Sequence, residues 1–241
     1  MNRTLHFNTS IMDSAPVTDA LSYNFFADST DDDPSVTDLK EDDALRWLVR
    51  NPFIRNEFFR EFFPNGVVPE YRLNLIDPFT RPHLNPGDVD ILLIDPNNPA
   101  TAIAFECKRV KVVSLPDGKL KINGAKKVVK AVGQVNSYRI LGFHQVYFLI
   151  IVLDDGRHHT APNQMFHYAT GRQIDEILST PWLPDLHQDI GVVYIRINQL
   201  TGKSIDHCHS IGYCIDKPAA RREQPLDTTA KVQMVLKHPI H

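Results

Sequence analysis

Between residues 39 and 155 the hydrophobic positions switch between a helical and an extended spacing, and their order sets out an α/β chain. Leu45, Leu48 and Val49 fall on one helical stripe. That helix is predicted to begin near Asp38, with Thr37 or Asp38 as cap and Glu41 in its first turn. Asn51-Pro52 interrupts the pattern, and residues 53–63 resume it with Phe58, Phe59, Phe62 and Phe63 as core anchors. Residues 67–76 are a strand candidate. Two short apolar runs, 91–94 and 101–105, are joined by Asp95-Pro96-Asn97-Asn98-Pro99, which predicts a hairpin or two neighbouring strands. Val128, Val132 and Val135 recur at helical spacing over 125–141, and Gly142 ends that helix. The uninterrupted apolar run 146–153 suits a central strand covered on both faces.

Outside this block the pattern weakens. Residues 1–38 are rich in Ser, Thr and Asp, carry Asp31-Asp32-Asp33-Pro34, and are expected to form a flexible acidic arm. Within it, Leu21-Ser22-Tyr23-Asn24-Phe25-Phe26 is suited to docking on the body or on a partner. Residues 156–216 are expected to form a C-terminal α+β extension packed on the core. It would hold a helix over 162–178, with Phe166, Ala169, Ile174 and Ile177 inward, and strands over 192–197 and 205–215. Residues 217–241 are expected to be a polar tail. Thr201-Gly202-Lys203-Ser204 lacks the upstream glycine of a phosphate loop. His207-Cys208-His209 with Cys214 fits no usual zinc spacing.

Composition changes this picture in two ways. No run of about 18 apolar residues exists, which excludes a transmembrane helix. Residues 1–10 lack the pattern of a signal peptide, and three cysteines argue against a disulfide framework, so a cytoplasmic location is expected. The net charge of −3 conceals an asymmetry: ten acidic residues in 1–43 stand against Arg3 and Lys40 only, so the remainder carries a basic excess.

The candidate chemistry lies on the two strands of the predicted hairpin. Asp88 and Asp90 share one strand face, and Asp90 opens the apolar run. Glu106 and Lys108 share a face on the next strand, while Cys107 points away. With the strands adjacent, two carboxylates and one ammonium converge. Hard oxygen ligands of this kind suit Mg²⁺, or Mn²⁺ in its place, which is held by one or two carboxylates plus a substrate phosphate.

Asp90 followed by Glu106-Cys107-Lys108 resembles the motif of the PD-(D/E)XK nuclease superfamily. Gln134 and Tyr138, four apart on the following helix, are similar to the Gln-x-x-x-Tyr motif of its RecB-like branch. The resemblance covers residues 39–155. It implies a restriction-endonuclease-like core, a central mixed sheet flanked by helices in the order α-β-β-β-α-β. It also implies a metal-dependent deoxyribonuclease, an endonuclease in defence against foreign DNA, mobile-element processing or repair. Asp90 and Glu106 would hold the metal, Lys108 would steady the attacking water or developing charge, and Gln134 would position Lys108. An early helix often adds one more acid, for which Glu57 is the match considered, with Asp88 an alternative to Asp90.

The stretch after Lys108 is basic. Lys111, Lys126, Lys127 and Lys130 are expected to hold a DNA backbone with weak sequence preference, with Tyr138 packing or contacting a phosphate. A homodimer, or a protein partner that targets or activates the chain, fits nucleases that cut both strands. Two other readings compete: a non-cleaving nucleic-acid-binding or assembly subunit on the same fold, and a protein-interaction module.

Overall fold

The computed structural model describes residues 5–7, 39–50, 52–63, 66–79, 88–155, 183–199 and 209–237. In chain order these form strand β1 (Leu5–Phe7), helices α1 (Glu41–Arg50) and α2 (Pro52–Arg60), and strands β2 (Glu70–Leu75), β3 (Val89–Ile94), β4 (Ile103–Ser114) and β5 (Leu120–Asn123). Helix α3 (Ala125–Leu141), strands β6 (Gln145–Asp154), β7 (Gly191–Gln199) and β8 (His209–Lys217), and helix α4 (Leu226–Lys237) complete them. The strands build one mixed open sheet in the order β1-β8-β7-β6-β4-β3-β2, with β5 paired to β4 off that path.

β6 runs parallel to both its neighbours, β4 and β7, and all ten of its residues are buried. A strand covered on both faces must be apolar at every position, which is why its sequence shows no alternation. On one face of the sheet lie Leu45, Leu48 and Val49 of α1 with Phe58 and Phe59, against Phe105, Cys107 and Leu149. On the other lie Val128, Val132 and Val135 of α3 with Val232 and Val235 of α4, against Ala104, Val110 and Phe148. Helices therefore cover both sides of an α/β sheet.

Several expectations are corrected. Within the expected extension over 156–216, β7 and β8 continue the central sheet beyond β6. The segment 217–241, expected to be a polar tail, carries α4. Its Thr228 donates to the Leu141 carbonyl at 2.5 Å, and its Val232 and Val235 enter the core. A short helix with one narrow buried stripe reads as polar overall, which hid it. Leu5–Phe7, inside the expected arm, pairs antiparallel with β8. The helix expected from Asp38 begins at Glu41. β4 continues six residues past Lys108 and turns through β5, a hairpin obscured by the basic residues that decorate it. The expected helix over 162–178, the phrase at 21–26, the 31–34 block, the 201–204 turn and the His207-Cys208 pair lie outside the described residues.

Candidate active site

The site grows from an incomplete edge of β4. Along one side β6 pairs with residues 103–112 of β4 without a break. Along the other, the β3 register runs Leu93 with Ile103, Leu92 with Ala104 and Ile91 with Phe105, and the β5 register begins only at Lys111. Between them the backbone of β4 lacks a strand partner, and its N–H groups need other acceptors. Two carboxylates supply them. Asp90 Oδ2 accepts from Cys107 N at 2.5 Å, and Glu41 Oε2 accepts from Arg109 N at 3.1 Å.

The β3–β4 register also brings Asp90 alongside Glu106, as the hairpin expectation required. Lys108 joins them from two residues further along β4. Its Nζ lies 2.6 Å from Glu106 Oε1, 3.3 Å from Glu41 Oε1 and 3.9 Å from Asp90 Oδ2, and it donates to the Cys107 carbonyl at 2.7 Å. Glu106 is fully buried, and its Oε1 has this ion pair but no aligned hydrogen-bond donor.

Burial drives the electrostatics. Desolvation pushes Asp90 up to about 8, helped by the Glu106 charge and opposed by the Cys107 N–H and Lys108. Desolvation likewise pushes Glu106 up to about 7, against the pull of Lys108 and the Tyr138 hydroxyl. Burial alone would lower Lys108, but Glu106, Asp90 and Glu41 together hold it above its ordinary range. These neighbours favour the ammonium form of Lys108, which suits it to stabilising negative charge.

α3 packs across the site because Gly124 (φ 100°) lets its first turn meet β4. A Cβ there would stand 2.4 Å from the Arg109 carbonyl. Of the two helix residues of the expected motif, Tyr138 takes the packing alternative and Gln134 lands differently from expectation. Tyr138 is fully buried, so it offers no surface to a phosphate. Its hydroxyl meets Glu106 Oε2 at 2.5 Å and the Asp88 carbonyl at shorter range. Gln134 Nε2 reaches that hydroxyl at 3.5 Å, not Lys108. Tyr138 and Gln134 therefore position Glu106.

Glu57, the early-helix acid considered from the sequence, pairs with Arg60 at 2.8 Å. The early-helix acid that reaches the cluster is Glu41, whose place in a first turn made it look like an ordinary helix-dipole residue. Asp88 contributes its backbone carbonyl to Tyr138, leaving Asp90 as the carboxylate beside Glu106.

A cavity of about 800 Å³ opens onto Lys108, and Lys40, Arg109, Lys111, Lys127 and Lys130 also line it. Lys126 is exposed and is not part of that lining. Among the described residues no group of three or more His, Cys, Asp and Glu side chains forms a cation cage. The buried Glu106 and partly buried Asp90, both facing Lys108, are nevertheless hard oxygen donors of the kind Mg²⁺ takes, one or two carboxylates with the shell completed by water and phosphate. No family model matches the chain, and neither curated proteins nor solved structures give a match.

Proposed function

We propose that the chain is a metal-dependent nuclease that hydrolyses DNA phosphodiester bonds at the gap in β4. The observation that carries this reading is the convergence of Asp90 and Glu106 on Lys108, which itself lines a cavity with five further cations and the acids Glu41 and Asp42. A restriction-endonuclease-like core is the finer form of the α/β fold that goes with it.

Asp90 and Glu106 would hold Mg²⁺, or Mn²⁺ in its place, which when bound lowers the pKa of a water and polarises the phosphate. Lys108, held protonated by its three carboxylate neighbours, places a fixed positive charge where negative charge develops on the phosphate. Glu41 and the Cys107 carbonyl fix the direction of its ammonium. Tyr138 locks the Glu106 carboxyl and ties it to the start of β3. Lys111, Lys127 and Lys130 neutralise backbone phosphates, which gives affinity without sequence preference.

The test is cleavage of supercoiled and linear DNA with Mg²⁺, Mn²⁺ or EDTA, comparing the wild type with Lys108→Ala and Asp90→Ala. Metal-dependent cutting lost in both variants is the expected result. Absence of cutting, together with Mn²⁺ binding that survives in Asp90→Ala, overturns the reading. Mn²⁺ binding that needs Asp90 without any cutting assigns the chain to a non-cleaving subunit.

A further inference from the structure

A second charged cluster lies at the opposite end of α3 from the cavity lysines. Arg139 is in the last turn of that helix, twelve residues beyond Lys127, about 18 Å along its axis. Asp189, which binds Arg139, and His187, which binds Lys217 at the end of β8, lie in the loop before β7, and the segment that carries Arg222 joins that loop through Ala220 N–H donating to the Asp189 carbonyl. Arg139 Nε and Nη2 both bind Asp189 Oδ2 at 2.8 Å. Lys217 donates to the His187 carbonyl at 3.4 Å. Arg222 Nε donates to the Phe143 carbonyl at 2.7 Å, but its Nη2 is buried without an acceptor.

Among the described residues, these three cations share the field of Asp189. The imbalance is felt: burial and the Arg139 charge press the Arg222 guanidinium down, with Asp189 as the opposing influence. Burial lowers Lys217 as well, again against Asp189. His187 adds no donor toward Asp189, since its Nδ1 accepts the Asp189 N–H at 3.1 Å. The cluster is reachable from solvent, because the side chains of Arg139, Asp189 and His187 are 38%, 32% and 37% exposed.

We propose that Arg139, Arg222 and Lys217 form a binding site for a phosphoryl oxyanion, separate from the β4 gap and independent of the nuclease reading. Two guanidinium forks and one ammonium supply the charge-assisted donors that a tetrahedral oxyanion takes, and the charge on one Asp leaves them under-neutralised. Asp189 holds Arg139 in place and competes with the incoming anion. The source of the anion is either free phosphate or a backbone phosphate of nucleic acid.

The experiment is calorimetric titration of the full chain with inorganic phosphate at constant ionic strength, with chloride as the reference. Saturable binding to the wild type is expected. It should weaken about tenfold in Arg139→Gln and tighten about threefold to tenfold in Asp189→Asn, which removes the competing charge. These two variants carry the test because Arg222→Gln also releases the Phe143 carbonyl and risks the fold. Phosphate heats equal to chloride heats overturn the proposal, as does binding unchanged in both variants. The salt dependence of DNA binding then separates the sources. A slope reduced by about one in Arg139→Gln assigns a backbone phosphate, and an unchanged slope with phosphate binding retained in the wild type assigns free phosphate.

Discussion

The hydroxyl of Tyr138 stands between the Glu106 carboxyl, 2.5 Å away, and the Asp88 carbonyl. It has one proton for two acceptors, and donated to Glu106 that proton favours the ionised carboxylate, against the upward push of burial. The hydroxyl thereby joins α3, β3 and β4 at one atom.

Tyr138→Phe keeps the packing and removes the hydroxyl. It is expected to cost about 1–2 kcal/mol in chemical denaturation, the usual effect of leaving a buried acceptor unpaired. Because the hydroxyl helps to lower Glu106, its loss raises that pKa further, and the pH profile of cleavage should move to higher pH.

The raised pKa values of Asp90 and Glu106 predict the pH dependence of stability without metal. Burial favours the protonated folded form of both groups, so their contribution is complete below the ordinary carboxylate range and is lost as pH rises. The loss spans pH 3.8 to about 8 for Asp90 and pH 4.5 to about 7 for Glu106. Asp90→Asn keeps an oxygen for the Cys107 N–H and removes the charge. Its Tm should exceed that of the wild type at pH 8 and converge with it near pH 4, while its Mn²⁺ binding is lost.

Added Mg²⁺ should raise the wild-type Tm more at pH 8 than at pH 6, because cation binding at acid pH must first displace protons from these two carboxyls. Proton release on binding, followed in weakly buffered solution by calorimetry, is the accompanying readout.

Glu41 and Glu57 separate a site residue from a bystander. Glu41→Gln retains an oxygen for the Arg109 N–H but removes a negative neighbour of Lys108. Cleavage is expected to fall roughly tenfold, the scale of about 1.4 kcal/mol in positioning a charged group. Glu57→Gln breaks only a partly exposed pair with Arg60 and should leave cleavage unchanged. Equal effects of the two substitutions would remove Glu41 from the site.

Lys127→Ala combined with Lys130→Ala should lower the slope of log affinity against log salt by about two. Neither lysine is buried, so Tm should stay within about a degree of the wild type for surface changes of this kind.

The sequence by itself determined the α/β class, the α3 boundaries and the pairing of Asp90 with Glu106-Cys107-Lys108. Each is written in a local period: 3.6 residues in Ala125–Leu141, unbroken apolar positions in β6, and alternate residues across a turn in β3 and β4. Periodicity reports which face of an element is apolar, but not where the unpaired backbone of an edge lies. Only the tertiary structure left Cys107 N and Arg109 N without a strand partner. It drew Glu41 to the second of them across 68 residues. The same closure sealed Tyr138 beneath the sheet edge, where its hydroxyl satisfies a buried carboxyl rather than contacting a phosphate. Those assignments follow from desolvation, which forces each buried polar group to find a partner and is decided by the packed chain as a whole.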